Sequence, residues 1–235
     1  MLMTITLYDL AGAEDDRRFS PYCWRIKMAL AHKSLPVKEV PWRFTEKEAI
    51  GFTEQGRVPV IVDDGNGGKA IWDSWAIAEY LDEAYPEKLL FTEQSGKAAT
   101  YFLKCWVERI VHPGVVKQVL VDIYNHLHEK DKDYFRTSRE KVFGMGLEDV
   151  VAPADEILPE FRASLAPMRA VFERFDFLGG DSPAFADHIA FGPFAWARAI
   201  SARKLLEEED PIYAWRERML DLYDGYARLS PGYDT

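Results

Sequence analysis

The sequence predicts two folded parts, a small α/β domain followed by an all-helical one, and three observations carry that prediction. A strand, helix and strand pattern fills the first forty residues. An Asn-Gly and Gly-Gly turn then separates two short apolar runs, and beyond Phe91 strand signals give way to helical periodicity. A chain of 235 residues, 48% hydrophobic and 29% charged, is long enough for two modest domains and apolar enough to close their cores without disulfides.

Thr4 to Leu10 sets Ile5 and Leu7 against Thr4 and Thr6, the two-residue period of a strand. Ser20-Pro21 is a helix cap followed by proline at the first helical position, where a missing N–H costs nothing. That helix should run to about His32 and stop at Leu35-Pro36; Val37 to Val40 is the second strand, completing a βαβ unit with a right-handed crossover. Val58-Pro59-Val60-Ile61-Val62 and Ala70-Ile71-Trp72 flank the turn sequence Asp63 to Lys69 and should pair antiparallel. Asp73-Ser74 caps a helix with Ile77, Leu81 and Ala84 on one face and Glu79, Asp82 and Glu83 on the other. Tyr85-Pro86 ends it, which sets the first domain at residues 1–85, a linker at 86–91 and the helical domain at 92–235.

In the helical domain Tyr101, Cys105 and Ile110 share one long helix interrupted near Pro113-Gly114, and Ile157, Phe161, Leu165, Met168 and Phe172 recur at steps of four and three. The polar stretch Glu129 to Gly146 reads as a connection with partial helix. Phe185 to Ile200 and Ile212 to Tyr226 close the bundle, and Glu207 to Asp210 is an exposed acidic turn before Pro211.

Twenty-nine Lys and Arg against 39 Asp and Glu give a net charge of -10, shared as -4 up to Tyr85 and -6 beyond it. This is the wrong sign for a surface that tracks phosphates, so no nucleic-acid partner is expected. Two cysteines, Cys23 and Cys105, cannot form a disulfide framework, which fits a reducing compartment. Neither a signal peptide nor a run of about 18 apolar residues is present, and a cytoplasmic protein with no membrane partner is expected.

Chemistry concentrates at Phe19-Ser20-Pro21-Tyr22-Cys23-Trp24-Arg25. There a hydroxyl and the first free N–H groups of a helix gather where the helix dipole presents about half a positive charge, a place that stabilises an anion. Ser-Pro-Tyr-Cys has the pattern of the glutaredoxin Cys-Pro-Tyr-Cys with its attacking cysteine replaced by serine. Such a site suits a thiolate brought by another molecule.

Together with Ile5 to Leu10, Arg57 to Gly65 and Trp72 to Asp82, this motif resembles the cytosolic glutathione transferases of the serine type, most of all the glutathione-dependent β-aryl etherases of bacteria and their fungal relatives. The resemblance covers Met1 to Pro86 in order. It implies a thioredoxin-like first domain with a cis Val58-Pro59 bond, and glutathione as co-substrate with no metal. Catalysis falls to Ser20, which donates to the sulfur. At the glutathione-binding pair Val58 and Pro59, the cis bond turns the Val58 backbone N–H and C=O outward to the cysteinyl unit, and Asp73 and Ser74 hold the γ-glutamyl end. Arg43 or Arg57 would take the glycyl carboxylate. The partner would be a small hydrophobic or aromatic electrophile, the context detoxification, and the assembly a homodimer.

Several alternatives stay open at this level. Tyr8, near the end of the first strand, is the rival donor to the thiolate. Cys23 is an interior thiol unless it faces the sulfur, when a thiol oxidoreductase becomes the reading; a glutathione or aromatic-ligand carrier without turnover is the third. Tyr101, Trp106, Trp24, Tyr124 and Trp196 are candidates for an aromatic pocket. Gly65 to Lys69 lacks the Ser or Thr of a phosphate loop and reads as a turn, and His126 and His128 diverge on a helix and share no metal. The resemblance is looser in the helical domain. There Asp187 caps a helix without the usual Ser or Thr, Ala184 standing in that place, and Glu129 to Val151 is longer than usual and placed to reshape the second-substrate site.

Overall fold

The computed structural model describes residues 4–92 and 94–235. Met1 to Met3, the start of the expected first domain, lie outside the described residues. Four strands, β1 (Ile5–Leu10), β2 (Val37–Trp42), β3 (Val60–Asp63) and β4 (Lys69–Trp72), form one mixed sheet in the order β2-β1-β3-β4. β1 runs parallel to β2, from Ile5 opposite Val37 to Leu10 opposite Trp42, and antiparallel to β3, which pairs antiparallel with β4. With α1 (Pro21–His32) and α2 (Ser74–Ala84), the sheet makes a thioredoxin-like unit, as expected.

β3 begins at Val60, two residues later than the apolar run suggested. Pro59 has no N–H for a ladder, and the Val58-Pro59 peptide is cis. The expected tight turn is a short helical turn, Asp64–Asn66, closed by Gly67 and Gly68, both at φ 72°. Its anchor is Asp63, whose carboxylate accepts from Gly65 N–H and Asn66 Nδ2 and from the Tyr80 and Tyr85 hydroxyls, tying α2 to the hairpin.

The second part is helical: α3 (Gln94–Trp106), α4 (His112–His126), α5 (Glu129–Phe143), α6 (Leu147–Val151), α7 (Ala154–Ser164), α8 (Ala166–Phe172), α9 (Phe185–Ile200) and α10 (Pro211–Gly225). The interruption expected near Pro113 is a π turn just before it, Val107–Val111, through which α3 and α4 join into one continuous rod. In regular α geometry the Pro113 ring would strike the Arg109 carbonyl, and the wider turn relieves this.

The Glu129 to Gly146 stretch is not a partial helix but a continuous one over α5. Phe135 is its buried anchor, Arg136 bonds Glu140 one turn on, and Gly144 at φ 72° terminates it. Asp210 is likewise not a free member of an acidic turn. It caps α10 through Ile212 N–H and pairs with Arg169 at 2.6 Å.

α1 lies between the sheet and α9, and nine of its twelve residues are buried. α9 is held by Asp187, which accepts from the N–H groups of Leu178, Gly179 and Ala184 and from Trp215 Nε1. Four donors to one buried carboxylate replace the missing Ser or Thr cap. Among the described residues no helix is long and apolar enough to cross a membrane.

Candidate functional site

Ser20 precedes α1 with extended backbone, φ -71° and ψ 122°, and its Oγ accepts from Cys23 N–H at 3.2 Å. Pro21 supplies the first helical φ without an orphan donor. No acidic residue sits in the first turn of α1, so nothing there opposes the positive end of the dipole. Behind it Trp24 Nε1 donates to the Arg18 carbonyl at 3.0 Å, and Lys27 pairs with Asp9 and Glu39, fixing the helix on β1 and β2.

Ser20 lines a cavity of about 620 Å³ between the two parts of the molecule. One wall is Pro21 and Tyr22 of α1 with Trp42 at the end of β2 and Phe44 beyond it; the facing wall comes from α4, α5 and α9, through His112, Phe135, Arg139, Phe143 and Trp196. A second cavity of about 670 Å³ holds Val58, Pro59, Asp73 and Ser74 together with Gln55, Trp72 and Lys104. Tyr22, Gly56, Arg57, Val58 and Glu108 line both, so the two are lobes of one cleft. The five expected site residues are thereby brought to one place, Ser20 in one lobe and the other four in its neighbour.

Asp73 is the N-cap of α2, its Oδ1 accepting from Trp75 and Ala76 N–H at 2.9 and 3.1 Å. It holds φ 70°, a conformation that costs a non-glycine residue about 1–3 kcal/mol. Ser74, buried, opens the helix beside it. The charges of this lobe are paired in part. Glu108 bridges Arg25 at 2.8 Å and Lys104 at 3.0 Å, and despite burial these two cations hold its carboxyl below the usual range. The Arg25 guanidinium, fully buried, lies 4.6 Å from the Tyr22 ring centre.

Other candidates fall elsewhere. Arg57 stands in both lobes, but Arg43 is committed to Asp15 at 2.5 Å and the Gly12 carbonyl at 2.9 Å and lines neither. Tyr8 also lines neither and packs its ring 5.9 Å from Phe52. Of the aromatic candidates only Trp196 reaches the cavity. Trp24 is core, edge-on to Phe191 and Tyr226; Tyr101 packs on Trp75; Tyr124 sits under Arg136; and Trp106 packs against the core. Cys23 is 0% exposed and absent from both linings, and burial, aided by the charge of Asp9, pushes its thiol well up.

Sequence reasoning missed His112, Arg139, Lys104 and Glu108. His112 is 9% exposed, its Nε2 meets no partner among the described residues, and its ring stands edge-on to Tyr22 at 5.0 Å. Burial, with repulsion from Arg25, pushes it down to about 3, so it is neutral at physiological pH. Lys104 and Glu108 at i and i+4 were the one readable signal; nothing local marked the other two.

Comparison with known proteins gives a consistent outcome. The family model described as "Glutathione S-transferase, C-terminal domain" matches residues 98–220, and "Glutathione S-transferase, N-terminal domain" matches 19–84. Among curated relatives, glutathione S-transferase 2 of Schizosaccharomyces pombe is 25% identical over 237 residues, 92% of this chain and 90% of that protein. A glutathione S-transferase of Ceriporiopsis subvermispora, solved in complex with glutathione, superposes with TM-score 0.81 at 24% identity, covering 97% of this chain and 98% of that one. A glutathione transferase of Phanerochaete chrysosporium gives 0.77 at 24% identity over 97% and 95%.

Proposed function

The chain belongs to the glutathione S-transferase family, and from that premise we propose that it is a glutathione transferase which ionises the tripeptide thiol at Ser20 and directs it at an aromatic or other hydrophobic electrophile in the first lobe. The observation that carries this reading is the continuity of the cleft. The N-cap hydroxyl of α1 opens into one lobe, the Asp73-Ser74 start of α2 into the other, and Val58 lies in both. Residues 1–85 then form the glutathione-binding domain, 86–91 the linker and 92–235 the domain that walls the second substrate.

Magnitudes favour Ser20 as donor rather than base. A thiol of pKa about 8.5 is a few per cent ionised at neutral pH, and lowering it by two units takes about 2.7 kcal/mol. A partly buried helix N-terminus supplies up to about 2 kcal/mol and a hydrogen bond to a charge about 1.5–3 kcal/mol. No base is required. The peptide would pair with the Val58 backbone, its γ-glutamyl carboxylate would meet Ser74 at the start of α2 and its ammonium Asp73, and Arg57 would take the glycyl carboxylate. The sulfur lone pair then forms a bond to carbon as the bond to the leaving group breaks. For a β-aryl ether, the preferred subclass, that is a C–O bond, and the departing aryloxide takes its proton from water.

Ser20→Ala should slow conjugation ten-fold or more with little change in glutathione affinity, and the pKa of the bound thiol, read by its ultraviolet absorbance, should return towards its value in buffer. An unaltered rate removes Ser20 from the mechanism. The oxidoreductase alternative needs a reactive cysteine in the cleft, and the burial of Cys23 weighs against it. Glutathione binding without turnover across a panel of electrophiles would instead identify a carrier. The same reading makes the protein a two-fold dimer, with the exposed rings of Phe52, Trp72, Tyr101 and Phe102 as apolar area to cover; sedimentation as a single 27.0 kDa chain would exclude it.

A further inference from the structure

The first lobe is walled mainly by rings, yet Arg139 of α5 stands among them. Its guanidinium carbon lies 4.9 Å from the Phe135 ring centre and 5.6 Å from that of Phe44. Nη1 donates to Ser138 Oγ at 3.2 Å, the only hydrogen bond its side chain makes among the described residues. No carboxylate there lies within ion-pair distance of it. The acids of its own neighbourhood are engaged: Glu140 and Glu148 with Arg136, and Asp131 with the N–H groups of Phe44 and Thr45. The other charges of the lobe are disposed differently, Glu108 being balanced by Arg25 and Lys104, and Arg57 lying at the junction with the peptide lobe. Burial works against the charge of Arg139, and no acid compensates it.

A guanidinium carries five N–H donors in a planar fork that matches a carboxylate. Here that fork is stacked on rings, which orients it, and most of its donors are unused. We propose that the electrophile is an aromatic acid whose carboxylate is taken by Arg139 while the rings of the lobe hold its apolar body. This rests on the transferase reading for the word electrophile, but the anion site itself is testable by binding alone.

The test compares the affinities of biphenyl-4-carboxylate and the neutral biphenyl-4-carboxamide by titration calorimetry. The acid should bind the native protein at least about ten-fold more tightly than the amide, and the ratio should collapse towards one in Arg139→Gln. Arg139→Met, which keeps the stem against the rings, replaces that variant if it does not fold. A native ratio near one, binding of neither compound, or a ratio kept in the Arg139 variants but lost in Arg57→Gln would each overturn the assignment. Conjugation of glutathione to 4-(chloromethyl)benzoate and to its methyl ester, with chloride displaced by sulfur, is followed in parallel. Turnover of neither compound with the binding preference intact overturns the transferase reading and leaves the anion site; turnover with no binding preference does the reverse.

Discussion

Ser20 uses one oxygen in two ways. Its lone pair accepts from Cys23 N–H, which completes the cap, and in the proposed mechanism its proton goes to the incoming sulfur. A cap and a catalytic donor are therefore compatible in one residue, and the proposed role of Asp73 is compatible with its cap in the same way, since the two capping bonds to α2 both end on Oδ1. Cys23 makes the contrast. It follows Ser20 by less than one turn of helix, yet that small rotation carries it from the cleft into the core against β1, where a thiolate would be desolvated. Arg57 and Arg43 differ in the same way. Both are arginines near the cleft in sequence, but Arg43 is consumed by Asp15 and the backbone of the loop after β1, and only Arg57 stands in both lobes.

At the scale of elements, the position of Ser20 depends on how closely α9 approaches the first turn of α1. Gly192 of α9 is the contact point: a Cβ there would lie 2.3 Å from the Pro21 carbonyl oxygen, too close for backbone that cannot rotate away. Gly192→Ala gains about 1 kcal/mol of helix propensity, but forcing the helices apart costs about 1–3 kcal/mol and shifts the cap itself. We expect a melting temperature lower by several degrees and slower conjugation; a variant as stable and as active as the native protein would show that the contact is slack. Local patterns made most elements legible. Alternation marked β1, cap chemistry marked α1 and α2, and α9 was bounded at both of its ends. α5 was misjudged because its residues are nearly all polar and its helicity rests on one buried ring, two ion pairs along the helix and the clamp of Asp131 on the loop at Phe44 and Thr45. That Ser20, Val58, Pro59, Asp73 and Ser74 would meet at one cleft was legible because each sits at the end of a local element. The rest of the first lobe was not, since Trp42, His112, Arg139 and Trp196 meet only through the docking of α4, α5 and α9 onto the sheet domain.

Across the whole molecule the two parts are joined by buried polar groups as well as rings. His32 Nδ1 of α1 and His188 Nε2 of α9 both lie within 3.1 Å of the Tyr223 hydroxyl, and His112 closes the cleft from α4. All three histidines are held below their ordinary range, in each case first by burial. Nearby Lys33 and Lys88 add to this at His32, Arg25 at His112 and His32 at His188. An unfolded histidine takes a proton near pH 6.5. Below that pH the unfolded chain binds protons which the native state refuses, and His112 refuses them until about pH 3. Stability must then fall as pH drops from about 6.5, with a slope of at most about 1.4 kcal/mol per pH unit for each of His112 and His188. Carboxylates held low in the native state, among them Glu39, Asp63 and Glu108, add their loss only once pH approaches their unfolded values near 4. Asp187, raised by burial, works in the opposite direction. The urea midpoint should therefore decline between pH 6.5 and 4.5, before the acids begin to titrate, and decline less in His112→Gln. A midpoint constant down to pH 4.5 would mean that these histidines accept protons in place and that the interface between the two parts opens to admit them.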